Sequence, residues 1–314
     1  MCEKITVRMF GKLCIQRDDD AQIVIESRKA LNLLAYLLIY RRQPHTRETL
    51  AEANWGDGST TRSKKYLRQA LWQVRSALNY RNNSDCSSIL IVEPDWVQLN
   101  PEAPLWLDVA EFEQACALAQ RTPLSGLSAQ DFVQLKKAAE LYQGDLLDGW
   151  YEDWCLFERE RLQNMCVGLF DKLMAYCELQ NRYEDALEYG NHILRLDVAH
   201  ERTHCRMLAI YYLSGERTAA LRQYERCVTA LRDELGVKPA RETIELYERI
   251  RDDQEAEHLP SLDPAPAELS TTVLLQRLDQ LKHMMVTFQD QVLAEINAIE
   301  TTLNRNGSKT PPDL

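Results

Sequence analysis

Four positions in the second half of the chain recur at a fixed displacement. Leu173, Asn181, Ala186 and Leu187 return 34 residues later as Met207, Gly215, Ala220 and Leu221. A period of that length is one pair of helices, which cannot bury its apolar face alone and must stack on the next pair. Ala186 and Ala220 stand where two helices would approach closely, and Asn181 and Gly215 where the chain would turn. From Leu107 to about Asp253 the apolar residues keep helical spacing almost throughout, with breaks near Pro123–Ser128, Gly144–Gly149 and Asn181. The spacing therefore demands a stack of packed helices over this region.

The first hundred residues read differently. Ile5, Val7 and Met9 alternate as in a strand, then Leu13 and Ile15, then Ile23 and Ile25 after an aspartate-rich turn. Leu31, Leu34, Leu37 and Leu38 form one helical stripe from Arg28 to about Arg42, and Pro44 ends it. A short helix starts at a Thr46 cap and runs through Leu50 to about Ala53. Asn54 to Thr60, with Gly56 and Gly58, is a loop. A third helix over about Thr61 to Tyr80 carries Leu67, Leu71, Val74 and Leu78 on one side. Residues 89–92 and 96–99 flank Glu93-Pro94-Asp95 as the two arms of a hairpin.

Strands, three helices and a hairpin are the layout of a winged helix-turn-helix. The predicted fold is mainly α with a small β component. An N-terminal winged helix-turn-helix occupies 1–101, with a boundary at the proline-bearing 101–104, and an all-α tetratricopeptide-like domain occupies 104–253. A linker with three prolines fills 254–271, a coiled-coil-like C-terminal helix 272–305 and a disordered tail 306–314. In that last helix Leu278, Met285, Val292 and Ile299 repeat every seven residues, and Leu274, Leu281 and Phe288 fill the complementary position until Glu295 interrupts it. Such a stripe predicts a homo-oligomer held through this helix, the alternative being packing on the chain's own body.

Charge is distributed unevenly. The whole chain has a formal net charge of −11, yet residues 1–100 hold 15 Lys and Arg against 11 Asp and Glu, and the rest holds 22 against 37. A basic head on an acidic body fits a chain whose head alone meets a polyanion. No run reaches the roughly 18 apolar residues of a membrane span, and the N-terminus lacks a basic-then-apolar layout, so neither a membrane partner nor a secretory signal is expected. Nine scattered cysteines with no CxxC pair point to reduced thiols and a cytoplasmic protein.

Chemistry is concentrated in two places. His200-Glu201-Arg202-Thr203-His204 matches the two-histidine zinc-protease pattern. It falls at a helix start on the repeat boundary without an evident third ligand, so a solvated helix start is expected, with no metal, no cofactor and no catalytic residue. Glycine-rich phosphate loops and nucleophile elbows are absent from the sequence. Cys155, Cys166 and Cys177, eleven apart, read as buried helical cysteines. The third helix carries the stronger signal. Opposite its apolar side it presents Arg62, Lys65, Gln69, Trp72 and Ser76, flanked by Lys64, Arg68, Gln73 and Arg75. Arg and Gln bond base edges bidentately, an apolar ring meets thymine methyls, and Lys and Arg neutralise phosphates. On a recognition helix these residues predict contact with double-stranded DNA, supported by Asp95 and Trp96 of the wing.

At this point the sequence resembles a known family. ITVRMFGKLCI, RKALNLLAYLLIY, TRETLAEANW and LRQALWQVRSAL resemble the OmpR-type winged helix of SARP-type bacterial activators. GDLLDGWYEDW followed by ERERL, and LRDELGVKP followed by LYERI, resemble the family's bacterial transcriptional activation domain. The likeness covers about residues 4–252. It implies a transcriptional activator that binds promoter DNA repeats and recruits RNA polymerase. The wing departs from the family in carrying EPDW where a glycine-bearing turn is often found. Two other readings stand beside this one: a helical-repeat scaffold or signal sensor whose winged helix contacts protein, and a hydrolase built on His200 and His204.

Overall fold

The computed structural model describes residues 4–18, 21–56, 60–78 and 88–253. The linker, the heptad helix with Leu274, Leu278, Leu281, Met285, Phe288, Val292 and Ile299, and the tail lie outside the described residues.

The three helices and the hairpin of the winged helix-turn-helix form where their spacing predicts. Strands β1 (Ile5–Arg8) and β2 (Cys14–Arg17) pair antiparallel. Ile23 and Ile25 form no further strand: one bridge, Gln16 to Gln22, follows β2, and Ile25 enters the core from an irregular segment. Helix α1 (Arg28–Ile39) is capped by the Ser27 hydroxyl, which accepts from the Ala30 N–H, and α2 (Arg47–Trp55) by Thr46, which accepts from the Thr49 N–H. Helix α3 (Thr60–Leu78) buries Leu67, Ala70, Leu71, Val74 and Leu78, the face expected. The wing is a small sheet in the order β3 (His45–Thr46), β5 (Trp96–Leu99), β4 (Leu90–Val92).

The body is a run of helices: α4 (Asp108–Arg121), α5 (Ala129–Leu141), α6 (Asp153–Leu179), α7 (Tyr183–Leu196), α8 (Glu201–Leu213), α9 (Arg217–Leu235) and α10 (Arg241–Arg251). The pairs α6–α7 and α8–α9 carry the 34-residue repeat. Their turns are equivalent: Asn181 and Gly215 both take positive φ, at 55° and 83°. At each turn the following N–H reaches back, Arg182 to the Cys177 carbonyl and Glu216 to the Tyr211 carbonyl. Ala186 and Ala220 are fully buried where the helices meet. Between the pairs Gly190 is required by packing, because a Cβ there would lie 2.8 Å from the side chain of Met207.

One feature has no local signal in the sequence. Strand β6 (Leu105–Leu107), just past the proline-bearing segment, pairs parallel with β1, so β1 is the centre of the sheet β2–β1–β6. Directly after it, Asp108 is buried, and its carboxylate accepts from the N–H groups of Met9 at 2.7 Å and Phe10 at 3.0 Å. Its second oxygen accepts from Val109 N–H at 2.7 Å. Burial pushes this carboxyl above the ordinary aspartate range, against the opposing pull of those three N–H donors. The 145–148 segment then clasps the same stretch: Leu147 N–H donates to the Met9 carbonyl, Gly11 N–H to Asp145 and Asp148 N–H to Gly11. Gly11 takes a φ of 82°, a conformation that suits glycine and lets the clasp close. The buried apolar residues of both regions form one cluster running from Ile5 to Ile210.

Charged and aromatic groups reinforce the join. Glu113 of α4 accepts from Arg41, beyond α1, and from Arg161 of α6, which also holds Glu158 at 2.7 Å. Burial works against the Glu113 charge, but the Arg161 hydrogen bond and the Arg41 charge outweigh it and hold the carboxyl below its usual range. Trp154 of α6 packs edge-on against Tyr36 of α1 at 5.6 Å, and the Arg28 guanidinium lies 4.0 Å over Trp150.

Replacing Asp108 by alanine leaves the buried Met9 and Phe10 donors without their acceptor, each worth about 1–3 kcal/mol. Asp108→Ala is expected to lower the unfolding free energy by about 2–4 kcal/mol in a urea titration. A loss under about 0.5 kcal/mol, typical of a surface change, would contradict the role assigned to this carboxylate.

Candidate nucleic-acid interface

The geometry of α3 follows from what holds it. Its apolar side faces the core, and its last carbonyls, Ala77 and Leu78, accept from the Arg17 guanidinium of β2 at 3.0 and 3.3 Å. Helix α2 is registered against α1 by a buried amide pair: Asn32 Nδ2 donates to Asn54 Oδ1 at 2.9 Å, and Asn54 Nδ2 donates to the Leu50 carbonyl at 2.9 Å. Trp55 of α2 and Tyr66 of α3 place their rings 6.4 Å apart. The wing is fixed to the start of α2, since the Arg47 guanidinium donates to the Glu93 carbonyl at 2.9 and 3.1 Å and Arg47 N–H to the Asp95 carbonyl at 3.1 Å.

With α3 held in this way, its opposite side is open. Arg62, Lys64, Lys65, Arg68, Gln69, Trp72, Arg75 and Ser76 are exposed and Gln73 is half-buried. Trp72 is 68% exposed, a large apolar ring surrounded by cations and amides on a surface helix. Lys64 and Arg68 lie on the flank nearest the wing. Asp95 is exposed at the wing turn; Trp96 is half-buried and begins β5, paired with Thr46. The turn itself is tight, with Glu93 N–H donating to the Trp96 carbonyl at 2.9 Å. The structure adds Arg47, Glu48 and Thr61 to the neighbourhood of Lys64 and Arg68. In the sequence these three precede the periodic stretch of their helices, and the one local signal for them is the charged pair Arg47-Glu48 after the Thr46 cap.

The histidine motif is not the solvated helix start that its sequence suggests, because α8 packs this turn against α9 and its side chains are held by hydrogen bonds. His204 is buried, with Nε2 2.9 Å from the Val198 carbonyl and Nδ1 2.9 Å from Gln223 Nε2. Gln223 donates to Nδ1, so the ring is neutral with its proton on Nε2, and burial likewise pushes its pKa down. His200 Nδ1 is 2.8 Å from Thr203 Oγ1, and Glu201 accepts from the Ala240 N–H at the start of α10. Among the described residues no group of three or more His, Cys, Asp or Glu side chains is arranged to hold a metal ion. Cys155, Cys166 and Cys177 are fully buried, and burial pushes each thiol upward, to about 11 for Cys155 and Cys177. No helix among the described residues is long and apolar enough to cross a membrane.

Residues 107–251 match the bacterial transcriptional activator domain. The regulatory protein AfsR of Streptomyces coelicolor is 26% identical over 251 residues, covering 77% of this chain and 24% of that protein. The transcriptional regulatory protein MoaR1 of Mycobacterium tuberculosis is 24% identical over 230 residues, covering 69% of this chain and 70% of its own length. The chain thus spans about a quarter of AfsR and most of MoaR1. Among solved structures, Mycobacterium tuberculosis EmbR, in complex with a low-affinity phosphopeptide, superposes with a TM-score of 0.63 at 20% identity, over 88% of this chain and 72% of that one. At that identity the likeness is one of fold.

His204→Ala removes the partner of both Gln223 and the Val198 carbonyl and opens a cavity. It is expected to lower stability by about 2–4 kcal/mol in urea, while zinc added to the intact protein leaves the midpoint unchanged. A zinc-dependent rise in stability that disappears in His204→Ala would contradict the structural role.

Proposed function

We propose that the chain acts as a SARP-type bacterial transcriptional activator and regulates transcription by inserting α3 into the major groove of promoter DNA. One observation carries the reading: the largely exposed Trp72, set among Arg62, Lys65, Arg68, Gln69, Gln73, Arg75 and Ser76 on the helix that a winged helix-turn-helix offers to a duplex. Lys65 and Arg62 neutralise phosphates. Gln69 and Gln73 read base edges, and Trp72 meets thymine methyls. The acidic helical body stands apart from the duplex and presents its surface to RNA polymerase. The heptad residues from Leu274 to Ile299 join two or more chains, so that linked winged helices gain affinity for repeated half-sites through effective concentration.

Two outcomes test this. Lys65→Ala weakens binding to all duplexes alike, whereas Gln69→Ala relaxes preference at one base pair by about 1–3 kcal/mol, read by selection followed by anisotropy titration. Equal loss of discrimination from both would mean that a different face of α3 meets the bases. Truncation at Pro260 lowers the mass per particle in light scattering and weakens binding to a two-site operator more than to a single site. Identical masses for the truncated and full-length proteins would show the tail packing on its own chain.

A further inference from the structure

A charged notch opens between the start of α2, the first turns of α3 and the wing turn. Arg47, Glu48, Thr61, Lys64, Arg68 and Asp95 line it. A duplex that receives α3 in its major groove carries one sugar–phosphate strand between that groove and the neighbouring minor groove, and a notch between helix and wing is where such a strand passes. The first helix of the motif crosses the backbone at the same place. A carboxylate there opposes binding, yet Glu48 is in the first turn of α2.

Its partner explains how it is accommodated. Of the α3 cations Arg62, Lys64, Lys65, Arg68 and Arg75, Lys64 is the one that holds an ion pair among the described residues, with Nζ 2.8 Å from Glu48 Oε1. Both side chains are largely exposed, at 53% and 65%. Pairs of that kind add little to stability and exchange readily. The Lys64 hydrogen bond also holds the Glu48 carboxyl below its usual range. Arg47, by contrast, is tied to the Glu93 carbonyl, which keeps the wing turn and Asp95 at the notch wall.

We propose that Glu48 is a built-in competitor for the DNA backbone: it holds Lys64 in the unbound protein and cancels the contribution of that cation to phosphate binding. The inference rests on α3 being the DNA-contacting helix. A phosphate entering the notch must take Lys64 from Glu48, so the chain grips an arbitrary duplex less tightly than its cations alone would allow. Glu48→Gln gives Lys64 to the phosphate outright. The gain then belongs to Lys64 rather than to the loss of one negative charge.

The test uses the full chain and a labelled random-sequence duplex of about two helical turns, titrated by anisotropy between about 50 and 200 mM KCl. Glu48→Gln is expected to bind more tightly at the low-salt end and to steepen the slope of log K against log salt by about 0.9, so that its advantage shrinks about three- to fourfold across the range. In a Lys64→Ala background the same change gives no steepening. Glu52→Gln, which removes an equal charge from the exposed side of α2, leaves the slope as it is. The proposal is overturned if Glu48→Gln has the wild-type slope, or if it steepens the slope equally with Lys64 present and absent. Should wild-type protein bind with no salt dependence at all, the assignment of α3 to DNA falls and takes this inference with it. Circular dichroism melts of each variant confirm that the fold is retained.

Discussion

The carboxylate of Asp108 is placed against the backbone of Met9 and Phe10, 99 and 98 residues away in sequence. Much of the structure depends on that contact. It closes β6 onto β1, and β1 is the strand on which the winged helix is laid. The 145–148 clasp then fixes the same segment from the other side, and Arg41, Glu113 and Arg161 tie the end of α1 to α4 and α6. The helix that carries the outward cations is thus anchored, through β2 and the α1 core, to the helical body. Whatever binds the body and whatever binds α3 act on one packed unit.

This explains which parts of the architecture were legible in the sequence. Helices α1, α2 and α3 announce themselves because caps, apolar stripes and breakers lie within a few residues of one another, and the observed bounds differ from the expected ones by little. The 34-residue period was legible for the same reason: Asn181 and Gly215 must both turn with positive φ, and Ala186 and Ala220 must both be small. The outward face of α3 needed only the helical angle between Leu67 and Gln69. By contrast, β6 has three residues and no pattern of its own, and its partner is a hundred residues back. Asp108 looks like an ordinary helix-start acid until that partner is in place. Ile23 and Ile25 alternate like strand residues, but only Gln22 has a neighbour with which to bridge.

The same limit applies to the site. Residues that share one exposed helix face could be named in advance; the pairing of Glu48 with Lys64 could not, because it depends on how α2 crosses α3. The wing illustrates the reverse case. Its sequence offers Asp95 and Trp96 together as wing contacts, and the structure puts Trp96 half-buried in β5 beside Thr46 and leaves Glu93, Pro94 and Asp95 at the exposed turn. A turn of that charge is poorly suited to phosphates, which is why the proposal places DNA contact on α3. In the histidine motif, His204 and Gln223 couple α8 to α9, and Glu201 holds the start of α10.

The central physical claim is that the winged helix and the helical body share one core. Native-state hydrogen exchange of the full chain tests it most directly, by comparing the slowest amides of α1, from Leu33 to Leu38, with those of α6, from Leu169 to Leu173. One core predicts that both sets open with the same free energy and the same dependence on denaturant, as parts of a single cooperative unit. If the α1 amides instead exchange through a separate opening of distinctly lower free energy and smaller denaturant dependence, the two regions are independent domains in contact, and the account given for Asp108 is wrong.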